Sequence, residues 1–292
     1  MTKPIAESEL ILNPDGSIYH LKLKPEDIAK DIVVVGDPGR VKTISDRFDT
    51  VEFQQANREI VTHTGYIGKK RITVMSTGMG TDNLDIVINE LDAICNIDLK
   101  TRIPKTDHRS LNIYRLGTSG ALQKDIPVDT YIASSHGVGL DGLMWFYKSV
   151  DDIIDQDLTQ AFLKDLNWPN NLPKAYIVPA SQTLINTIGK EYTQGITATA
   201  PGFFGPQGRV LRLPLAYPNL NQQIANFNYK GLRITNFEME TSALYGLSKS
   251  LGHQAMTVCA IIANRARKEY SKDYKVSVSK LIDSLLENIS KA

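Results

Sequence analysis

Short apolar runs rich in β-branched residues alternate along this chain with longer segments whose apolar residues recur at helical spacing. The runs predict buried strands over 31–35, 71–76, 111–116, 130–134, 175–178, 196–199, 233–237 and 256–263. Glycine-containing turns follow the first three strands, at 36–38, 77–80 and 117–120. Because glycine is typical of tight turns, we expect each of these three strands to end there.

Helices are predicted where apolar residues fall three and four positions apart. Leu84, Val87, Ile88 and Leu91 recur at i, i+3, i+4 and i+7, which is the spacing of one helix face. The same pattern predicts helices over 157–166, 183–192, 241–251 and 278–289. Strands that alternate with helices are typical of α/β folds. We therefore expect a central mixed β-sheet flanked by helices.

The chain reads as a single domain over residues 1–292, because no low-complexity linker divides it and no repeat recurs at periods of 20–50 residues. One stretch stands apart: 98–110 is rich in charged and polar residues and lies between a predicted helix and a predicted strand. This stretch is predicted to be a surface insertion.

The formal net charge is +1, which argues against nucleic-acid binding, since that needs many cations to neutralise phosphates. Cys95 and Cys259 both lie in apolar stretches, where two buried, reduced thiols are expected. Residues 1–10 hold no apolar run of a signal peptide, and no segment reaches the ~18 apolar residues of a membrane span. We expect a cytoplasmic protein that binds neither nucleic acid nor membrane.

A phosphate site is predicted where glycines follow strands. The groups are Gly36 with Arg40, Gly78 with Gly80, and Arg115 with Gly117 and Thr118. Ligands of open α/β sheets bind where strand ends converge. Glycine lets backbone N–H groups approach an anion, and arginine adds a planar pair of donors. Each loop alone is explained as well by a tight turn beside a solvated arginine; the coincidence of three favours phosphate.

A base site is predicted at Gln207-Gly208-Arg209, which follows the turn 203–206. The amide of Gln207 both donates and accepts, while Arg209 only donates, and this combination suits the carbonyl–imide edge of uracil. A polar hairpin tip explains the same residues equally well.

A ribose site is predicted at Glu238-Met239-Glu240, where a strand gives way to a helix. A carboxylate there can accept hydrogen bonds from ribose hydroxyls. The alternative, which the sequence leaves open, is an acidic helix N-terminus stabilised by the helix dipole.

The sequence gives little support for a dinucleotide site, a phosphate loop or a metal site. Residues 137–142 match the dinucleotide pattern G-x-G-x-x-G, but the bulky segment 143–147 follows where a helix should open. The phosphate-loop pattern G-x-x-x-x-G-K-[ST] of nucleoside triphosphatases and the common zinc spacings are absent. The five histidines (His20, His63, His108, His136 and His253) are scattered along the chain, which gives a metal site no support.

From about residue 18 to 289 the sequence resembles the uridine phosphorylase branch of the hexamer-type nucleoside phosphorylases. Eight short segments carry the resemblance in the same order: 19–21 (YHL), 34–40 (VVGDPGR), 57–59 (NRE), 76–80 (STGMG), 115–120 (RLGTSG), 203–209 (FFGPQGR), 236–240 (NFEME) and 261–265 (IIANR). The resemblance implies a nucleoside phosphorylase-like fold and a pentosyltransferase. That enzyme would cleave uridine with inorganic phosphate as co-substrate and without any cofactor.

The resemblance also implies residue roles. The phosphate would be bound by Gly36, Arg40, Arg115 and Thr118, with Arg58 and His20 supplied by a neighbouring subunit to the phosphate and to the ribose 5′-hydroxyl. The nucleoside would lie against Phe203 and Met239. Its ribose would contact Glu238 and Glu240, and its uracil would contact Gln207 and Arg209. Arg265 would lie behind Gln207 and Arg209. Arg115, Thr118, Gln207, Arg209 and Glu240 would be catalytic. Sites shared in this way imply a homodimer or a homohexamer.

One position in the sequence indicates whether the enzyme would accept a purine or a pyrimidine base. In the purine branch of this family an Asp stands after a Ser in the segment that corresponds to Ala263-Asn264, and this chain has no acid there. Pyrimidine nucleosides are therefore expected. A purine or broad-specificity phosphorylase and a non-catalytic nucleoside-binding protein are the alternatives.

Two segments depart from the family. The family has Gly-Pro-Ser where this chain has Thr81-Asp82-Asn83. Its serine helps to hold a monovalent cation, so a potassium site near Glu59, Met79 and Asn83 is in doubt. The insertion 98–110 is longer than in compact bacterial members, which bears on how dimers assemble.

Overall fold

The computed structural model describes residues 3–292, and strands and helices alternate along them. The strands are β1 (Asp31–Val35), β2 (Thr50–Asn57), β3 (Ile60–Ile67), β4 (Lys70–Ser76), β5 (Ile97–Asp98), β6 (Ile103–Pro104), β7 (Asn112–Ala121), β8 (Tyr131–Gly139), β9 (Tyr176–Pro179), β10 (Thr193–Thr199), β11 (Asn228–Tyr229), β12 (Leu232–Glu238), β13 (Gln254–Asn264) and β14 (Glu269–Tyr270).

The α-helices are α1 (Pro38–Ser45), α2 (Thr81–Asn96), α3 (Val150–Ile153), α4 (Gln156–Asp165), α5 (Gln182–Thr187), α6 (Leu220–Asn226), α7 (Thr241–Ser250) and α8 (Tyr274–Lys291). Short 3₁₀ helices lie at Pro25–Asp27, Leu143–Phe146, Gly189–Glu191 and Gly205–Gln207.

Twelve strands form one mixed sheet in the order β11-β12-β10-β8-β13-β7-β1-β4-β3-β2. β14 pairs with β13 and β9 with β8, outside that order. β12 also pairs with β7, through Asn236 with Ala121 and Phe237 with Gly120, so five central strands close on themselves. A closed ring of strands has no exposed edge, and its ends gather the loops that follow it.

Helices cover both faces of this sheet. On one face, Leu84, Val87, Ile88 and Leu91 of α2 pack with Leu244 of α7 in a buried cluster. On the other, the stripe of α8 packs with α1 and α5 residues against β1 and β13. All the predicted helix-face residues of α2 are buried, because the apolar stripe is the only surface that can cover the sheet.

The predicted α/β fold with a mixed sheet flanked by helices is confirmed, and all eight predicted strands are present. Three predicted ends were wrong. The strand predicted to stop at Ser134 continues as β8 to Gly139. The strand predicted to stop at Gly117 continues as β7 to Ala121, and the helix predicted over 183–192 ends at Thr187, before a 3₁₀ turn. The hairpin of β2 and β3 was not predicted.

The stretch 98–110 lies between α2 and β7, and most of its residues are exposed. It includes a short hairpin of β5 and β6, and the N-terminal segment bonds to it, since the backbone N–H of Ile5 donates to the carbonyl of Arg102 at 2.8 Å. Across residues 3–292, every helix is too short or too polar to cross a bilayer.

Candidate active site

A cavity of about 780 Å³ opens where the loops that follow β1, β4, β10 and β12 meet. It brings together most of the predicted site residues. Those on its wall are Gly36, Arg40, Glu59, Met79, Asn83, Arg115, Thr118, Phe203, Gln207, Arg209, Glu238, Met239 and Glu240. A concave site with a few convergent polar groups is the usual form of a small-molecule site.

The three glycine segments meet because their strands are parallel neighbours. β1 lies between β4 and β7, with Val35 opposite Ser76 and Val34 opposite Arg115. The loop after β1 and the loop after β4 thus emerge beside the end of β7. This register explains how segments that are far apart in sequence reach one site.

Arg115 is the most tightly held charge in the cavity. Its Nη1 lies 3.0 Å from Glu238 Oε2, its Nη2 donates to Glu240 Oε2, and its Nη1 also contacts Cys259 Sγ at 3.2 Å. Burial opposes the arginine charge, but the two carboxylates outweigh burial and raise the pKa of Arg115 above its ordinary value. The guanidinium is therefore fixed and fully charged.

Gly117 explains why β7 does not end at its glycines. A Cβ at this position would lie 2.5 Å from Arg115 Nη1 and 2.9 Å from Cys259 Sγ. The Arg115 side chain folds back over its own strand, which only glycine permits. The glycine thus makes room for the arginine inside a continuous strand and does not form a turn.

The two neighbouring carboxylates have different surroundings. Glu238 accepts hydrogen bonds from the backbone N–H groups of Glu240 and Thr241 at the start of α7, and from the hydroxyl of Thr199 at 2.7 Å. Glu240 accepts one from the backbone N–H of Gly80 at 2.7 Å. Burial, only partly offset by Arg115, raises the pKa of Glu240. Of the two, Glu238 has its oxygens the more fully engaged by protein donors.

Arg40 adds a second cation beside Arg115. Burial lowers the pKa of Arg40; Asp37 offsets part of this effect, and the charge of Arg115 lowers it further. Arg115 is already paired with Glu238 and Glu240, so the partly desolvated charge of Arg40 is the one that favours a bound anion. Helix α1 begins at Pro38, and Asp37 accepts from the backbone N–H of Gly39 at 2.9 Å.

The opposite part of the cavity is formed by the segment 203–209. Arg209 lies over the Phe203 ring, with its guanidinium carbon 3.6 Å from the ring centroid, and donates to Gln207 Oε1 at 2.8 Å. Arg265 lies behind the pair, outside the cavity wall, and donates to the backbone carbonyl of Gln207. Burial and the neighbouring Arg265 lower the pKa of Arg209 to about 10. Here too the arrangement favours negative charge on a ligand.

Gly208 fixes the shape of this loop. Its φ is +68°, and a Cβ there would lie 1.9 Å from Asn221 Nδ2. Asn221 belongs to α6, so the close contact holds the segment between Gln207 and Arg209 against a helix. Any side chain at position 208 would be strained and would also displace Asn221.

Gly208→Ala is expected to lower kcat/KM for the pyrimidine nucleosides expected from the sequence about 10- to 100-fold, because a shift of the loop misplaces Gln207 and Arg209. Steady-state kinetics of the purified variant measure this. Gly231→Ala is the matched control, since Gly231 also has positive φ but nothing within 4 Å of its Cβ position. Equal losses in both variants would contradict the role of the Asn221 contact.

His20 and Arg58 lie outside the cavity wall of their own subunit and close to one another. Asn57 Nδ2 donates to the carbonyl of His20 at 2.8 Å, and the Arg58 guanidinium lies 5.7 Å from the Tyr19 ring centroid. His20 Nδ1 is 2.6 Å from Glu90 Oε1. In the neutral ring whose Nδ1–H donates to Glu90, Nε2 is left as a hydrogen-bond acceptor.

The residues considered for a cation are near one another but do not fit one. Glu59 and Asn83 both pack against Gly78. Asn83 Nδ2, however, donates to the carbonyl of Met79 at 3.0 Å, so an N–H group is bonded to an oxygen that a cation would need as a ligand. The chemistry proposed below therefore uses no cation.

The histidines are less scattered than the sequence indicates. Ligand atoms of Asp92, His108 and His253 lie within 4.8 Å of one another. Nδ1 of His253 accepts from the backbone N–H of Leu111 at 3.2 Å, so Nε2 carries the ring proton and faces Asp92 Oδ1 at 3.3 Å. A ring nitrogen that carries a proton cannot bind a metal, and the cluster is a close contact of His253 with Asp92 beside His108, in which His253 Nε2 makes no hydrogen bond.

Sequence reasoning missed several residues of the cavity wall, among them Phe237, Ile262 and Tyr270. Tyr270 is 62% exposed and comes from β14, a two-residue strand without any sequence signal. Phe237 and Ile262 lie in predicted strands and were not among the predicted site residues. The pairing of β12 with β7 closes the sheet and brings Phe237 and Ile262 to the wall of the cavity.

Comparison with known proteins identifies relatives of this chain. The sequence profile of the phosphorylase superfamily matches residues 30–290. The uridine phosphorylase of Thermococcus kodakarensis is 31% identical over 280 residues, covering 93% of this chain and 86% of that protein. A DeoD-type purine nucleoside phosphorylase of Listeria welshimeri is 28% identical over 245 residues, covering 83% and 85%.

One solved structure is close in fold as well as in sequence. It is the crystal structure of the Trypanosoma brucei nucleoside phosphorylase that shows uridine phosphorylase activity. It matches with a TM-score of 0.86 and 28% identity, over 97% of this chain and 100% of that chain. The likeness spans the whole domain, including both parts of the cavity.

Proposed function

Because this chain belongs to the phosphorylase superfamily, we propose that its cavity catalyses the phosphorolysis of uridine to uracil and ribose 1-phosphate. One observation carries the proposal: Arg40 and Arg115 line the same cavity as Gln207 and Arg209. The uridine phosphorylases of Thermococcus kodakarensis and Haemophilus influenzae, at 31% and 27% identity, support the same reaction.

Phosphate binds, in this proposal, between Arg40 and Arg115, with the Thr118 hydroxyl and the backbone N–H groups near Gly36 as further donors. A dianion there offsets the partly desolvated charge of Arg40 and the repulsion that Arg115 exerts on it. Inorganic phosphate is thus the co-substrate. Glu238 is assigned to orienting Arg115 and starting α7, because its oxygens already accept four hydrogen bonds from Glu240, Thr241 and Thr199.

The ribose lies on Met239, with Glu240 as the acceptor for its hydroxyls. The base is assigned to the part of the cavity lined by Phe203, Gln207 and Arg209, where the Gln207 amide and the Arg209 guanidinium would donate to the uracil oxygens. Fixing phosphate and nucleoside in one cavity supplies the proximity that turns a two-substrate reaction into a step within one complex.

The reaction proceeds by loosening of the glycosidic bond. Positive charge develops on the ribose, where the bound phosphate stabilises it and then attacks C1′. Negative charge develops on uracil, where Arg209 and Gln207 are already in place as donors. Donors aimed at developing charge are usually the largest single contribution to catalysis.

Asn264 supports the choice of a pyrimidine base. It is fully buried, and its Nδ2 donates to the carbonyls of Gln123 and Ile126 at 2.8 and 2.6 Å, away from the cavity. An acid that could protonate a purine is thus lacking at this position. The DeoD-type relatives keep a purine or broad-specificity phosphorylase as the second candidate.

The reaction class is tested by incubating the purified protein with uridine in phosphate buffer and in phosphate-free buffer. We expect uracil and ribose 1-phosphate in equal amounts, and only with phosphate. Free ribose would indicate a hydrolase instead. Tight uridine binding without turnover would favour a binding protein on this fold.

A homodimer or homohexamer with shared active sites is proposed from His20 and Arg58. Both residues lie outside their own cavity, and Nε2 of His20 is free to accept from the 5′-hydroxyl of a nucleoside bound to a neighbour. Arg58 would reach the neighbour's phosphate. The cytoplasm is the proposed location, supported by two free, buried cysteines, Cys95 and Cys259.

Shared sites make a specific prediction for mixed subunits. Arg58→Ala and Arg209→Ala are each expected to be nearly inactive alone. When the two are co-expressed, a mixed dimer has one intact site, so about a quarter of wild-type activity should return. Co-purified mixtures measure the recovery, with size-exclusion chromatography as the check on assembly. If Arg58 serves its own subunit, no activity will return.

A further inference from the structure

A second cavity, of about 630 Å³, adjoins the base-binding loop and shares only Arg209 with the active-site cavity. Its walls are largely apolar and include Leu140, Trp168, Leu172, Phe204, Leu215 and Leu220. This volume and this lining are typical of sites that bind drug-sized ligands. The proposed reaction leaves the cavity without a role.

The charges of this second cavity have one sign. Its only charged wall residues are Arg209 and Arg212, and among residues 3–292 neither lies within ion-pair distance of a carboxylate. Arg209 is partly desolvated, which lowers its pKa to about 10. Uncompensated cations beside an apolar wall favour a ligand that carries an anionic group.

A third feature is an unpartnered acceptor. Asn221 lines the cavity, and within the described part of the chain its Oδ1 is buried without any hydrogen bond. An acceptor left in that state costs free energy, and because Oδ1 is itself buried, a donor on a ligand would recover that cost when the Asn221 side chain rotates toward the cavity. The wall therefore specifies an apolar body, an anionic group and one hydrogen-bond donor.

We propose that this cavity is a binding site for a small amphipathic anion, such as an aromatic acid with an N–H or O–H group. Arg209 belongs to both cavities, so an anion that pairs with it here withdraws it from uracil. This second part rests on the proposed function, and it makes the ligand an inhibitor competitive with uridine.

The probe 8-anilinonaphthalene-1-sulfonate has all three features: aromatic rings, a sulfonate and an N–H group. We expect its fluorescence to rise with saturation at one site per chain. Arg212→Ala should weaken binding about tenfold, since a charge-assisted hydrogen bond is lost, and Ala216→Trp should abolish it by filling the cavity. Arg233→Ala, at an exposed arginine paired with Asp125, is the matched control. Binding that is equal in all four proteins would overturn the site.

Kinetics test the shared arginine separately. The probe should raise the apparent KM for uridine in proportion to its concentration and leave kcat unchanged. A saturable probe that leaves KM unchanged would overturn the competition through Arg209. The fluorescence titration needs no turnover, so it stands even if uridine is not the substrate. Emission per chain that falls as protein concentration rises would instead show that a second copy of this chain covers the cavity.

Discussion

Arg115→Met is expected to lower kcat/KM for uridine about 1000-fold and to destabilise the protein by about 3–5 kcal/mol. The loss of activity follows because the fixed cation of the phosphate site is removed. The loss of stability follows because Glu238 and Glu240 are left buried without their counter-charge. Kinetics at saturating phosphate and chemical denaturation measure the two effects.

The stability loss should depend on pH in a defined direction. Burial raises the pKa of Glu240, and removal of Arg115 would raise it further. A carboxyl whose pKa is higher in the folded state binds its proton more readily there, so stability is lost as pH rises. The variant should therefore lose less stability at pH 5 than at pH 8, relative to wild type at the same pH.

A triple variant separates the two roles of Arg115. Arg115→Met combined with Glu238→Gln and Glu240→Gln removes the whole charge cluster, and most of the lost stability should return. Activity should not return, since the phosphate site still lacks its arginine. Recovery of activity in the triple variant would mean that the single variant was inactive only because it was poorly folded.

Arg209→Ala is expected to lower kcat/KM for uridine about 100- to 1000-fold, with little change in Tm. The loss arises because a donor aimed at the leaving uracil is removed. The fold tolerates the change because this side chain bonds only within its own loop, to Phe203 and Gln207. Steady-state kinetics with varied uridine and varied phosphate measure the effect, and KM for phosphate should stay unchanged.

Two variants control this result. Arg209→Lys keeps the charge but lacks the planar pair of donors, so it should recover only part of the activity. Arg233→Ala removes an exposed arginine of β12 and should match wild type. If Arg209→Ala cleaved uridine at the wild-type rate, the base site assigned to this loop would be wrong.

Sequence patterns predicted the parts of the fold that are buried on both sides. β1, with five buried residues, is found at its predicted bounds, because a continuous apolar run is typical of a strand that is buried on both faces of a sheet. β2 was missed because its residues are exposed or only half-buried and mostly polar, as an edge strand allows. The 3₁₀ turn after Thr187 depends on tertiary packing, which spacing alone does not encode.

Many of the predicted site residues line one cavity, whereas the contacts between them could not be predicted. Glycine beside arginine correctly marked Gly36, Arg40 and Arg115 as neighbours. The turn assigned to Gly117 was wrong, since that glycine makes room for a side chain inside a strand. The contact of Asn221 with Gly208 joins a helix to a loop, and it could not be predicted because the local sequence pattern does not show which elements pack together.

Phosphorolysis with a preference for a pyrimidine base can be tested in one competition experiment. Equal concentrations of uridine and inosine are supplied in one tube, with and without phosphate, and uracil and hypoxanthine are followed by chromatography. We expect uracil as the dominant product and only when phosphate is present. Hypoxanthine formed faster than uracil, or uracil formed without phosphate, would contradict it.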